Sequence, residues 1–282
     1  MAIRLACSGG RAQLVRGERC LDVEQASNER FPADPMAALG AWSALVDWGS
    51  GLADNRFDEP AERARFDAPV PRPAKVFAIG LNYRGHASEA GLDLPTAPMV
   101  FTKFPNCLAG PHARVSLSSD FVDYEAELVV VIGRRTRDVS EARALEVVAG
   151  YAAGQDISDR KLQFSDKPPQ FSLGKSIDSF GPLGPEVVSL DALPDPNDLE
   201  IVCAVNDERL QHARTTDMVF SVPELVSYLS RFCTLEPGDL IFTGTPAGVG
   251  SVRSPRRYLK PGDVISTTIE GIGNLVNVCV AK

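Results

Sequence analysis

The sequence predicts an α+β fold, mainly β, in which a mixed, largely antiparallel β-roll or barrel follows a small N-terminal domain. Three observations carry that expectation. From Val76 to the C-terminus, seven short apolar runs recur between turns rich in Gly, Pro and Asp: KVFAIG, APMVFTK, AELVVVIG, LEIVCAVN, DLIFTG, DVISTTIEG and NLVNVCVA. Only two helical stretches interrupt them, too few for a doubly wound βαβ sheet. Ahead of them, FDEPAERARFDAPVPRPAK gathers charges and four prolines. Proline cannot donate to a ladder, so this segment should not join a packed sheet, and it marks a boundary between residues 1–70 and 71–282.

In chain order, IRLAC and AQLV around Ser8-Gly9-Gly10 read as a hairpin, and AALGAWSALVDW has the apolar spacing of a helix. In the second region SEARALEVVAGYA reads as a helix with Ser140 as its N-cap. SVPELVSYLSRF is the other, with Ser221 and Glu224 at capping-box spacing. The chain's 282 residues suffice for a sizeable core. A formal net charge of -8 argues against nucleic acid as a partner, because phosphate binding needs a basic face. No apolar run approaches the roughly 20 residues of a membrane span, and MAIRLACSGG lacks a signal-peptide core. The six cysteines are scattered without a CxxC pair, which fits reduced thiols in a cytoplasmic protein rather than a zinc site or disulfide framework.

Four stretches could carry chemistry. DYEAELVVVIG puts Asp123, Glu125 and Glu127 at every second position, so in a strand they share one face. Like charges crowded there need water or a cation. With Asp156 of GYAAGQDISDRKLQ, Glu125 and Glu127 would suit Mg2+ or Mn2+, hard ions held by oxygens; a solvated acidic strand start is the alternative. In IGLNYRGHASEAG, His86 precedes Glu89 by three residues, which on a helical turn lets the carboxylate orient the imidazole as a base; a surface pair on a loop would look the same. Arg160 and Gln163 follow Asp156 at helical spacing and could grip a carboxylate. Lys175 in GKS invites a phosphate-loop reading, which fails because Pro169 stands where a glycine is required, leaving a surface lysine as the plain reading. In DLIFTGTPAGVG, glycines and Thr245 could form a backbone cradle or an ordinary turn.

Taken together, GLNYRGHASEAG, DYEAELVVVIG, GYAAGQDISDRKLQ, SLGKSIDSFGPLGP and LEPGDLIFTGTPAGVG resemble the fumarylacetoacetate hydrolase superfamily, in particular its shorter branch of acylpyruvate hydrolases and 2-oxo acid isomerases and decarboxylases. The resemblance runs from about Val76 to the C-terminus and implies a catalytic domain of the fumarylacetoacetate hydrolase C-terminal type. It implies that Glu125, Glu127 and Asp156 hold Mg2+ or Mn2+ and that His86 and Glu89 activate water. Lys175 would assist the leaving enolate or its protonation, and Arg160, Gln163, Thr245 and Tyr83 would bind a small 2-oxo acid. The implied reaction is hydrolysis of a carbon-carbon bond in an acylpyruvate, releasing pyruvate and a carboxylic acid; oxaloacetate decarboxylation and 2-hydroxy-dienoate isomerisation or hydration at the same site are the alternatives. A homodimer is also implied.

Overall fold

A computed structural model describes residues 2–282. The chain is mainly β, as expected, but its sheets are open rather than closed into a barrel. The largest sheet follows the path Glu59–Pro60, Arg19–Asp22, Arg11–Arg16, Arg4–Ser8, Gly181–Val188, Val148–Gln155, Ala126–Ile132, Leu240–Phe242, Val76–Gly80 and Met99–Thr102. A second sheet orders Glu208–Arg214, Glu200–Val205, Val264–Ile269, Gly273–Ala281 and Val115–Leu117. The N-terminal hairpin therefore extends the main sheet, through Leu5 paired with Val187.

The run Ala126–Ile132 lies at the centre of that sheet, and every residue of it is buried. Its two faces serve different cores. Leu128, Val130 and Ile132 pack with Tyr151, Phe180 and the second sheet. Val129 and Val131 pack with Leu39, Trp42 and Leu45 of the N-terminal helices. Burial on both sides explains why the run is continuously apolar rather than alternating.

Four sequence expectations need correction. The stretch SEARALEVVAGYA is not one helix: a 3-10 turn covers Glu141–Val147, the Ser140 side chain caps nothing, and Val148–Gln155 is a fully buried strand. Its small residues hide that strand from propensity, yet packing demands them. A Cβ on Gly150 would lie 2.1 Å from the Val188 carbonyl oxygen, and one on Gly154 2.5 Å from Val129 Cγ2. AALGAWSALVDW is two helices, Pro35–Gly40 and Trp42–Ser50, broken at Ala41. The proline-rich segment does touch the sheet, in two-residue ladders where Glu59–Pro60 pairs with Arg19–Cys20 and Phe66–Asp67 with Cys7–Ser8. The acidic stretch is also not one strand, because Val122–Asp123 pairs separately with Ser158–Asp159.

Helix Val222–Phe232 has the expected reciprocal cap between Ser221 and Glu224 and buries Val222, Leu225, Val226 and Leu229 on one face. Ser221→Ala should cost about 1 kcal/mol of unfolding free energy by denaturant titration. All six cysteines are free thiols, five of them buried. Among the described residues no helix is long and apolar enough to cross a membrane.

Candidate metal centre and active site

Three elements meet at the site. The strand Ala126–Ile132 carries Glu127, and Glu125 immediately precedes it. Asp156 follows the neighbouring strand Val148–Gln155, where its backbone N–H donates to the Glu125 carbonyl (2.8 Å). Strand Leu240–Phe242 runs into the glycine-rich loop on the other side, with Phe242 paired to Val129. Gly244 N–H in that loop donates to Glu127 Oε2 at 2.8 Å. Gly244 has φ +97° and its Cβ would sit 2.8 Å from Asn82 Cβ, so only glycine brings this amide to the carboxylate.

Glu125, Glu127 and Asp156 each present one carboxylate oxygen within 4.8 Å of the others, and all three are buried. Asp123, which strand spacing would put on the same face as the two glutamates, does not join them. It accepts from Arg160 Nε (2.6 Å) and from Ser251 N–H (2.7 Å), tying the arginine to the loop beyond the glycines. Arg160 reaches Glu125 Oε1 at 2.5 Å and Gln163 Oε1 at 2.9 Å. Lys175 is no surface residue: 2% exposed, its Nζ donates to Glu125 (2.6 Å), Asp156 (2.7 Å) and the Ser158 hydroxyl (2.7 Å).

The electrostatics divide the pair of glutamates. Burial alone would raise the Glu125 carboxyl, but the charges of Lys175 and Arg160 hold it down to about 2. Burial, reinforced by Asp156 and Glu125, pushes Glu127 well above the usual carboxylate range. Glu127, with one backbone amide and no cation in hydrogen-bond contact, is thus driven toward its neutral form unless a cation joins it. An oxygen-only, buried donor set in that situation is chemically suited to a hard divalent cation, so the three carboxylates could hold Mg2+ or Mn2+.

Residues Arg84–Glu89 form a short helix that brings His86 Nδ1 to 2.7 Å from Glu89 Oε1. The second Glu89 oxygen accepts from Gly248 N–H at 2.8 Å, anchoring the dyad to the glycine-rich loop. With Nδ1 engaged, Nε2 is left for the cavity that His86 lines. That cavity, of about 330 Å3, is bordered by Glu125, Glu127, Arg160, Gln163, Lys175 and Thr245 among others. Tyr83 is not among its lining residues. It is 1% exposed within the main core, with its hydroxyl lacking a hydrogen-bond partner among the described residues.

Three residues of this centre were missed by the sequence reading. Lys103, fully buried behind the site, donates from Nζ to Asp156 Oδ1 (2.6 Å), to the Phe180 carbonyl (3.2 Å) and to the Lys175 carbonyl. Gln155 Oε1 accepts from Glu125 N–H at 3.0 Å and Gln211 Oε1 from Ala126 N–H at 3.0 Å, just where the chain passes from Asp123 into the strand. Gln211 Nε2 also donates to Thr245 Oγ1 and the Pro246 carbonyl, each at 2.8 Å, so it staples the glycine-rich loop to the glutamate strand. Replacing Gln211 with Leu leaves the Ala126 amide and Pro246 carbonyl buried without partners, and should cost about 1–3 kcal/mol in chemical denaturation. Only the burial of these side chains marks them, and no local spacing predicts it.

A family model described as fumarylacetoacetate (FAA) hydrolase C-terminal matches residues 75–280. The Bos taurus protein named oxaloacetate tautomerase FAHD2B, mitochondrial, is 42% identical over 223 residues, spanning 78% of this chain and 71% of that relative. Among solved structures, the fumarylacetoacetate hydrolase of psychrophilic Exiguobacterium antarcticum superposes with a TM-score of 0.84 at 33% identity, over 100% of both chains. The maleylpyruvate hydrolase of Sphingobium sp. SYK-6, in complex with manganese(II) and pyruvate, superposes with a TM-score of 0.80 at 29% identity, over 99% of both chains.

Proposed function

The chain belongs to the fumarylacetoacetate hydrolase family, and from that premise we propose that it hydrolyses a carbon-carbon bond in an acylpyruvate-type 2,4-diketo acid, releasing pyruvate and a carboxylic acid. The observation that carries this reading is the His86–Glu89 pair. Its 2.7 Å hydrogen bond, with Glu89 itself held by Gly248, fixes an imidazole as a base at the wall of a cavity lined by buried carboxylates.

A divalent ion held by Glu125, Glu127 and Asp156 would supply Lewis acidity toward the oxygens of the 2-oxo acid. The chain's own groups do the rest. Glu89 orients His86, whose Nε2 takes a proton from water as the oxygen of that water attacks the distal carbonyl. The bond between that carbonyl carbon and the methylene then breaks, and its electron pair passes into the pyruvate fragment as an enolate. A proton returned to the methylene carbon, from imidazolium or the Lys175 ammonium, completes pyruvate. Arg160 and Gln163 grip the polar end, preorganised by their own 2.9 Å contact.

A second reading has specific support in the 42% identity to the bovine protein named an oxaloacetate tautomerase. There His86 would move a proton between carbon and oxygen of a 2-oxo acid without water. A panel of 2,4-dioxo acids together with oxaloacetate, assayed with Mn2+ for pyruvate and for enol-keto conversion, separates the two. Stoichiometric pyruvate and carboxylic acid from a 2,4-dioxo acid support hydrolysis. Enol-keto conversion of oxaloacetate without cleavage of any panel member overturns it in favour of the tautomerase.

A further inference from the structure

The cavity carries its charge at one end. Arg160 and Lys175, its only lysine or arginine side chains, each make three polar contacts with Asp123, Glu125, Asp156, Ser158 or Gln163, so they form one cluster with the buried carboxylates. Beyond that cluster the wall turns to hydrocarbon at once. The Phe101 ring lies 5.3 Å from Lys175 Nζ and edge-on to Phe171 (5.5 Å, 70°), and Phe171 in turn meets Phe164 (6.1 Å). Leu92, Met99 and Val252 complete this side. Leu92 and Phe164 are 52% and 56% exposed, an apolar rim open to solvent where no protein group covers it.

Resting on the hydrolase reading above, we propose that the cavity selects 2,4-dioxo acids whose acyl group ends in a hydrocarbon, an aryl ring or a branched or unbranched alkyl chain, over those ending in a second carboxylate. Leu92, Met99, Phe101, Phe164, Phe171 and Val252 determine that specificity. The polar cluster accommodates one 2-oxo acid head. A second carboxylate placed along the outer part of this wall, past Phe101, would shed part of its hydration and meet no further lysine or arginine, whereas a phenyl or butyl group would bury apolar area there. Lys161 and Arg256 line an adjoining open groove past Phe164 and Val252, not this cavity. Both are solvent-exposed, so a carboxylate reaching them would have left the enclosed space.

The test compares two substrates that differ at the acyl end, a phenyl-terminated and a carboxylate-terminated 2,4-dioxo acid, with the Mn2+-loaded protein. The phenyl compound should have a kcat/KM higher by about tenfold or more, and Leu92→Arg should narrow or invert the ratio. Equal or greater efficiency with the dicarboxylate overturns the proposal. If neither compound is cleaved, the hydrolase reading has failed, and calorimetric binding of phenylpyruvate against 2-oxoglutarate still decides the specificity. Tighter phenylpyruvate binding that weakens in Leu92→Arg upholds it; tighter 2-oxoglutarate binding overturns it.

Discussion

His86→Ala should lower turnover by about 10²–10⁴-fold, the usual contribution of a positioned general base, while divalent-metal binding stays intact. The side chain makes its hydrogen bond to Glu89, not to the carboxylate triad, and it sits on a short helix at the rim of the cavity rather than in the core. Its removal therefore takes away the proton acceptor without disturbing Glu125, Glu127 or Asp156. Glu89→Gln is the companion variant. It keeps a hydrogen-bonding partner for Nδ1 but removes the negative charge that stabilises the imidazolium, so kcat should fall while KM changes little. Turnover within a few-fold of the parent protein in His86→Ala would remove the base from the account and favour chemistry run by Lys175.

Lys103→Met should lower stability by about 3–5 kcal/mol, the range for breaking a buried ion pair from one side. Lys103 is fully enclosed with three acceptors around Nζ. The methionine fills similar space, so the effect reports charge rather than a cavity. It leaves Asp156 with Lys175 as its one cationic partner, close to Glu127, a carboxylate already pushed toward its neutral form by burial and by Asp156. Added Mn2+ should recover part of the loss, because a cation bound by the triad supplies the missing positive charge. Denaturant titration with and without Mn2+ measures both quantities. A loss below about 1 kcal/mol would mean that Asp156 does not depend on this partner.

What the sequence could convey follows from how far each signal reaches along the chain. Capping at Ser221 and Glu224, the hairpin at Gly9-Gly10 and the pairing of His86 with Glu89 are local, and the structure forms each one. Glu125 and Glu127 are visible because a strand repeats every second residue; Asp156 stands out from a turn-like stretch after a segment that reads as helix but folds as the adjacent strand. Lys103 immediately follows the edge strand Met99–Thr102, where a lysine ordinarily reads as solvent-facing. Its burial depends on the Lys175 and Phe180 carbonyls, contributed by segments distant in sequence. Gln155 and Gln211 lie likewise in strands that propensity conceals: one is rich in glycine and alanine, the other carries three Glu or Arg side chains in seven residues. The apolar wall draws Leu92 from the loop after Glu89, Met99 and Phe101 from the strand Met99–Thr102, Phe164 and Phe171 from the segment after Gln163 and Val252 from beyond the glycine-rich loop, and no periodicity links them.

We propose that Glu125, Glu127 and Asp156 form a divalent-metal centre on which the 2-oxo acid chemistry depends. Calorimetric titration of chelator-treated protein with Mn2+ tests it most directly, with Glu127→Gln in parallel. The account predicts one bound ion per chain in the parent protein, and binding lost or weakened by orders of magnitude in the variant, whose amide removes a charged oxygen ligand. Equal stoichiometry and affinity in both proteins would place the ion elsewhere and contradict the assignment.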